Sequence, residues 1–405
     1  MKRFSLILFI AFSLLFALAS CGPEPEHECS FGEWQTVEGK EATCAKKGQE
    51  IRVCLEDSTH TETREVPMLE HTFEGQYYND ETSHWQMCSG CGERGDSVEH
   101  ESESAATSEH AEICMYCEYE MNPKLHFLSN KKIIFIGNSH TYFGGTVKEI
   151  KQDVLSLASR INDQGYFYQL CKANGATNVQ VTNWTFGGHS LKDIFSGNCQ
   201  ANRDCGNGTD HFSYLTDNNY DYVIFQQGST DGSSIMEWTE YMINFFKEGN
   251  PNTKFVMLVQ ARAHNDGYSW LSDLDEIENK GVTIVDWGAV VYDLYSGNVK
   301  LSGADTLPLT KTSFVIAKTA SDGYHPNLLA GYLTTVMTYS AITGEKAAGQ
   351  KYAFCTTTRS VPSFINSYYK VDTTNMQQVF QSKETMYRLQ ELVDRYLAEK
   401  KYREY

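Results

Sequence analysis

From residue 131 onward, short apolar runs alternate with stretches of helical period. Residues 133–136 (IIFI), 222–225 (YVIF), 255–259 (FVMLV) and 282–285 (VTIV) read as strands buried on both faces, and 179–181 as a shorter one. Helical patterning fills 147–158, 236–246, 270–277, 328–342 and 377–399, with Pro326 marking the start of the fourth of these. Strands and helices in alternation predict a parallel sheet covered on both faces, a three-layer α/β/α domain spanning 130–405. Ligands of such sheets sit beyond the carboxyl ends of the strands. The first strand ends there in Gly137-Asn138-Ser139-His140, so a serine is released onto the functional edge.

The first 125 residues have no such pattern. Lys2 and Arg3 precede an apolar stretch over 4–16, and Leu18-Ala19-Ser20-Cys21 follows. A basic start, a short apolar core and small residues before a cut predict a secretory signal over 1–20. The cysteine right after Leu-Ala-Ser resembles a bacterial lipobox, which implies cleavage before Cys21 and its lipidation. Residues 21–28 then form a linker. The expected location is the bacterial cell envelope, with the membrane met through the lipid alone. The apolar stretch is too short for a dependable spanning helix.

Residues 29–125 form an acidic, cysteine-rich module containing a repeat. His84-Trp85-Gln86-Met87-Cys88-Ser89-Gly90-Cys91 returns as His110-Ala111-Glu112-Ile113-Cys114-Met115-Tyr116-Cys117. Two C-x-x-C pairs about twenty residues apart have the spacing of a zinc ribbon, with Cys88, Cys91, Cys114 and Cys117 as ligands of one structural ion. Two disulfides, or redox activity, are the competing readings. A unit this small and polar needs a staple of some kind. The upstream stretch 29–54 resembles the short β-rich repeats of bacterial surface proteins, through its G-x-W, E-A-T-C and R-x-C elements. Asp57 stands where such repeats often carry a second cysteine.

Charge separates the two parts. The chain carries 34 basic and 52 acidic residues, net −18. Residues 22–125 hold 24 acidic against 7 basic, whereas 126–405 hold 28 against 25. The imbalance points to two units with different tasks, and with no basic stripe nucleic acid is not an expected partner. Of 12 cysteines, Cys21 is assigned to the lipid and 11 remain, an odd number. Export permits disulfides, with Cys199–Cys205 and Cys171–Cys355 as candidate bridges.

A nucleophilic serine needs a base, and the base needs an orienting group. Near the far end of the chain stands Asp322-Gly323-Tyr324-His325-Pro326-Asn327. Asp322 and His325 lie three apart before a helix, so one turn can set the carboxylate against one ring nitrogen and leave the other for Ser139. Over residues 130–345 this domain resembles the SGNH (GDSL-like) hydrolase superfamily. Gly137-Asn138-Ser139 matches the first block and Asp322–His325 the last. The resemblance implies an oxyanion glycine in NWTFGGHSL, with Gly188 assigned and Gly187 the alternative. It also implies an asparagine in the third block, where this chain has Thr230 in Gly228-Ser229-Thr230-Asp231. A threonine hydroxyl replaces an amide donor only in part, so Gln226 or Gln227, at the strand end, is the substitute, with Gln227 preferred. The amide of Ser139 completes the oxyanion donors. His140 and His189, beside proposed site residues, are candidates to line a substrate pocket.

The implied activity is a serine esterase that deacetylates an acetylated polysaccharide or cleaves another acyl ester, with no cofactor for catalysis. An adhesin with an inactive hydrolase domain, and a glycan O-acyltransferase, are the alternatives. The aromatic segment 363–370 is a candidate exposed loop.

Overall fold

The computed structural model describes residues 28–141, 165–185, 189–196, 215, 217–228, 235–303, 305–315, 325–356 and 374–400. The chain divides into two compact units: one takes in the chain to Glu103 together with Ile113–Met121, the other Ser104–Glu112 with Asn122–Tyr405. The signal segment and Cys21, the expected helix at 147–158, Cys199, Cys205 and the aromatic segment 363–370 lie outside the described residues. Among the described residues no helix is long and apolar enough to cross a membrane.

The first unit is built from short antiparallel strands. β1 (Gln35–Thr36), β2 (Gly48–Val53) and β3 (Thr61–Val66) make one sheet; β4 (Phe73–Asn79), β5 (Ser83–Cys88) and β6 (Val98–Glu99) make another. β7 (Glu112–Ile113) and β8 (Glu120–Asn122) form a final pair. These strands are largely exposed, and none of their leucine, isoleucine, valine, methionine, phenylalanine, tyrosine or tryptophan side chains is buried.

The second unit contains a five-stranded, wholly parallel sheet. Its strands are β9 (Lys132–Gly137), β10 (Gln180–Thr185), β11 (Tyr222–Gln226), β12 (Lys254–Leu258) and β13 (Val282–Val285), in the order β10-β9-β11-β12-β13. The period-2 geometry of a strand sends neighbouring side chains to opposite faces. Ile133 and Phe135 therefore enter one core and Ile134 and Ile136 the other, all fully buried. The first core is roofed by helices that include α1 (Tyr166–Ala173), the second by α2 (Leu191–Ser196) and α3 (Ile235–Gly249). α3 buries Ile235, Met242, Ile243 and Phe246, each contributing about 1.5–3 kcal/mol. The three-layer expectation therefore holds.

Boundaries shift where local chemistry intervenes. The terminal helix expected over 377–399 is two helices, Thr374–Gln381 and Lys383–Glu399, because the Ser382 hydroxyl accepts from the amide of Thr385 and starts a new one. The 270–277 helix is a 3₁₀ turn, Ser269–Asp273, followed by Leu274–Asn279. Trp287–Ser296 is a helix that periodicity missed, since it is apolar almost all round and mostly buried; Asp286 caps its start. Cys171 and Cys355 do not form the expected bridge. Both are free thiols buried in the first core, where burial pushes both thiols well up and leaves them un-ionised.

Candidate functional site

Strand order reverses direction at β9: the chain moves first to β10 on one side, then to β11 on the other. The carboxyl ends of β9 and β11 therefore flank the switch point, where open α/β sheets bind ligands. β9 runs into a tight turn in which the Thr141 amide donates to the Asn138 carbonyl at 2.9 Å. A glycine at 137 allows the turn to fold back. A Cβ there would lie 2.6 Å from Thr141 Oγ1 and 3.1 Å from Gln226 Cβ.

Asn138 is the pin of this turn. Its Oδ1 accepts from the His140 amide at 3.0 Å and from Gln226 Nε2 at 3.1 Å, while its Nδ2 donates to the His189 carbonyl at 2.9 Å. Gln226 Oε1 in turn accepts from Thr141 Oγ1 at 2.7 Å. All three side chains are buried. A buried, closed polar network of this kind fixes geometry, since breaking one partner strands another. Ser139, next to the pin, is thereby held at a set position on the rim.

The other half arrives from far along the chain. Asn327 caps α4 (Leu328–Thr343): its Oδ1 accepts from Leu329 and Ala330 amides at 2.9 and 3.2 Å. Such a cap is worth about 1 kcal/mol. Its Nδ2 donates to the Ser313 carbonyl at 2.7 Å and its amide to the Phe314 carbonyl at 2.9 Å. Pro326 forms an isolated bridge with Val315. Pro326 thus lies outside the helix, and Asn327 rather than proline starts it. These contacts fix His325 three residues before α4, and its Nε2 lies 2.9 Å from Ser139 Oγ, across 186 residues of sequence.

His140 stacks on His325, with ring centroids 4.6 Å apart and planes 12° from parallel. Burial, then the charges of His325 and Arg262, hold His140 well below the ordinary imidazole range, so the stacked ring is neutral near pH 7. A neutral neighbour imposes no like-charge repulsion on a proton arriving at His325. His189 is buried, and its carbonyl anchors Asn138.

Of the two strand-end glutamines, Gln226 is committed to the Asn138 network. Gln227 is different: it is fully buried, and neither its Oε1 nor its Nε2 has a hydrogen-bond partner among the described residues. Its backbone carbonyl is occupied, accepting from Gln226 Nε2 and Gln260 Nε2 at 2.7 and 2.9 Å. The β9–β11 register sets Phe225 opposite Ile136, so Gln227 follows on at the level of the serine turn. Asp322, Gly187, Gly188 and Thr230 lie outside the described residues. Asn138, Gln226 and Thr141 as a supporting network were not foreseen. The available signal was a run of uncharged polar residues closing two otherwise apolar strands.

Cys88, Cys91, Cys114 and Cys117 do not converge on one centre. Cys88 and Cys91 group with Cys44 and His71, and Cys114 and Cys117 with His84 and His100. The reason is β5. His84 and Cys88 stand four residues apart on that strand, about 13 Å at the usual rise, so each serves a different group. Cys44, Cys88, Cys91, Cys114 and Cys117 are free thiols.

No protein-family model matches the sequence, and no curated protein matches it. Among solved structures, LAE5, an alpha/beta hydrolase enzyme from the metagenome of Lake Arreo, Spain, is 19% identical with a TM-score of 0.34, covering 54% of this chain and 97% of its own. A catalytic mutant of Axe2, an acetylxylan esterase from Geobacillus stearothermophilus, is 16% identical with a TM-score of 0.34 over 53% of this chain and 95% of its own.

Proposed function

We propose that the second unit is a serine esterase that deacetylates an acetylated polysaccharide. The observation that carries this reading is the 2.9 Å approach of Ser139 Oγ to His325 Nε2 at the sheet's switch point. In the proposed reaction, Ser139 Oγ attacks the acetyl carbonyl carbon while His325 Nε2 accepts the hydroxyl proton. The carbonyl π pair moves onto oxygen, giving a tetrahedral oxyanion. Collapse re-forms the carbonyl and breaks the bond to the sugar oxygen, which takes the proton from His325 and leaves as the alcohol. Water, deprotonated by the same ring, then attacks the acyl-serine, and acetate leaves as the proton returns to Ser139. Base catalysis of this kind contributes on the order of 10²–10⁴-fold. Asp322 is assigned to hold the His325 tautomer, from its place three residues earlier. The amides of Ser139 and Gly188 and the side chain of Gln227 are assigned as oxyanion donors, and Thr230 as a lesser one.

Asn138 and His140 flank the serine, buried His189 anchors its turn through the backbone carbonyl, and Gln227 lies level with it; all are polar, which suits a small acyl group on a hydroxylated scaffold better than a long acyl chain. The test is acetate release from a panel of acetylated glycans, run beside p-nitrophenyl esters of increasing chain length. Acetate release from at least one glycan, with acetyl esters cleaved faster than long-chain ones, is expected. Faster cleavage of long-chain esters with no acetate from any glycan would exclude this substrate class.

A further inference from the structure

In the first unit the buried side chains, among the described residues, are Cys44, Cys54, His84, Cys88 and Cys114, with Gly48 the only other buried residue. No leucine, isoleucine, valine, phenylalanine, tyrosine or tryptophan is buried there among the described residues. A unit of this size cannot be held by apolar burial it does not have. Its interior consists instead of metal-ligand residue types, and all of them except Cys54 fall into two groups.

We infer that the first unit binds two structural zinc ions, one held by Cys44, His71, Cys88 and Cys91 and the other by His84, His100, Cys114 and Cys117. Within each group the four ligand atoms lie within 4.8 Å of one another. Zinc bonds of about 2.3 Å to sulfur and 2.0–2.1 Å to nitrogen give tetrahedral edges of about 3.8 Å for S···S and 3.5 Å for S···N. The distances found are 3.5 Å for Cys44–Cys88, 3.4 Å for Cys91–His71, 3.6 Å for Cys114–His84 and 3.4 Å for Cys117–His100. A disulfide would need sulfurs at about 2.05 Å. All three histidines turn Nδ1 to the sulfurs, which leaves Nε2 for an outer partner. His100 Nε2 donates to the Asp80 carbonyl at 2.8 Å, and His71 Nε2 lies 3.3 Å from Glu93 Oε2. Support of this kind on the far ring nitrogen orients metal-bound histidines.

The local turns agree. The amides of Gly90 and Cys91 face the Cys88 sulfur, and those of Tyr116 and Cys117 face the Cys114 sulfur, so both C-x-x-C segments make the same knuckle. At Gly90 a Cβ would stand 2.9 Å from Cys44 Sγ, so this position is kept clear for the first group. The two sets differ in softness, three thiolates and one imidazole against two and two. Both combinations suit zinc. β5 carries a ligand of each group towards its two ends, so the two ions would clamp one strand at both ends.

The test is zinc content of the mature full-length chain, purified without chelator, by native mass spectrometry. Wild type is expected to carry two zinc ions that the double variant Cys44→Ala/Cys117→Ala lacks. Each single alanine variant should lack one. Cys44→His, which keeps a nitrogen ligand in place of sulfur, should retain both ions, and it decides the matter if an alanine variant loses its fold. Absence of stoichiometric zinc, a Cys88–Cys91 disulfide in a non-reduced peptide map, or loss of an ion in Cys44→His would overturn the assignment.

Discussion

Replacing Ser139 by alanine is expected to lower hydrolysis of p-nitrophenyl acetate by about 10⁴-fold or more while leaving the fold in place. The size follows from what is lost: without Oγ there is no acyl-enzyme, and only binding and oxyanion stabilisation remain. The fold should survive because Ser139 is only half-buried and its turn is held by others. Asn138, Gln226, Thr141 and the His189 carbonyl close their hydrogen bonds without the serine side chain. His325→Ala should give a loss of similar order, and the double variant little more, since the two groups act as one unit. Thermal unfolding and activity measured on the same preparations separate the cases. Activity within tenfold of wild type in Ser139→Ala, with unchanged unfolding, would show that the serine is not the nucleophile.

Gln227→Leu is expected to reduce kcat by about 10²–10³-fold with stability at or above that of wild type. A buried amide with no partner costs roughly 1–3 kcal/mol. Gln227 is in that condition among the described residues, at the end of β11 and level with the serine turn. The cost has an explanation if the amide is aimed at an oxyanion that exists only during reaction, where one such donor contributes about 10²–10³ in rate. Leucine keeps the volume and removes the unpaired amide, so folding should not suffer while the chemical step does. The loss should appear in kcat more than in KM, because the interaction forms with the transition state. A variant that is destabilised yet keeps its kcat would mark Gln227 as a packing residue.

The parallel sheet was legible because each central strand is apolar along its length, and residues 133–136 feed both cores. The Ser139–His325 pairing was legible from G-N-S and D-x-x-H, two short patterns whose meaning depends on falling at the rim of such a sheet. Helices were harder where periodicity is weak. Trp287–Ser296 is buried nearly all round, and one residue, Ser382, divides the last helix. The polar network was illegible for a different reason. Asn138 and Gln226 are 88 residues apart, and nothing in the chain says that parallel register will bring them within 3.1 Å. In the first unit the C-x-x-C pairs drew attention to four cysteines. The partners that separate them, Cys44, His71, His84 and His100, come from strands and the loops beside them, placed by long-range pairing. His84 was visible in the H-x-x-x-C-x-x-C repeat, but its counterpart His110 is exposed and belongs to neither group. Glu-His recurs at 70–71, 99–100 and 109–110, each ahead of a C-x-x-C, so the dipeptide alone does not separate His71 and His100 from His110.

The central claim is that Ser139 is a nucleophile activated by His325. A fluorophosphonate probe, which phosphonylates activated serines, tests it most directly through intact mass and peptide mapping. One adduct per chain, on the peptide carrying Ser139 and strongly diminished in His325→Ala, is the predicted result. No adduct on the folded protein, or labelling at Ser139 that is equally fast without the His325 ring, would contradict it.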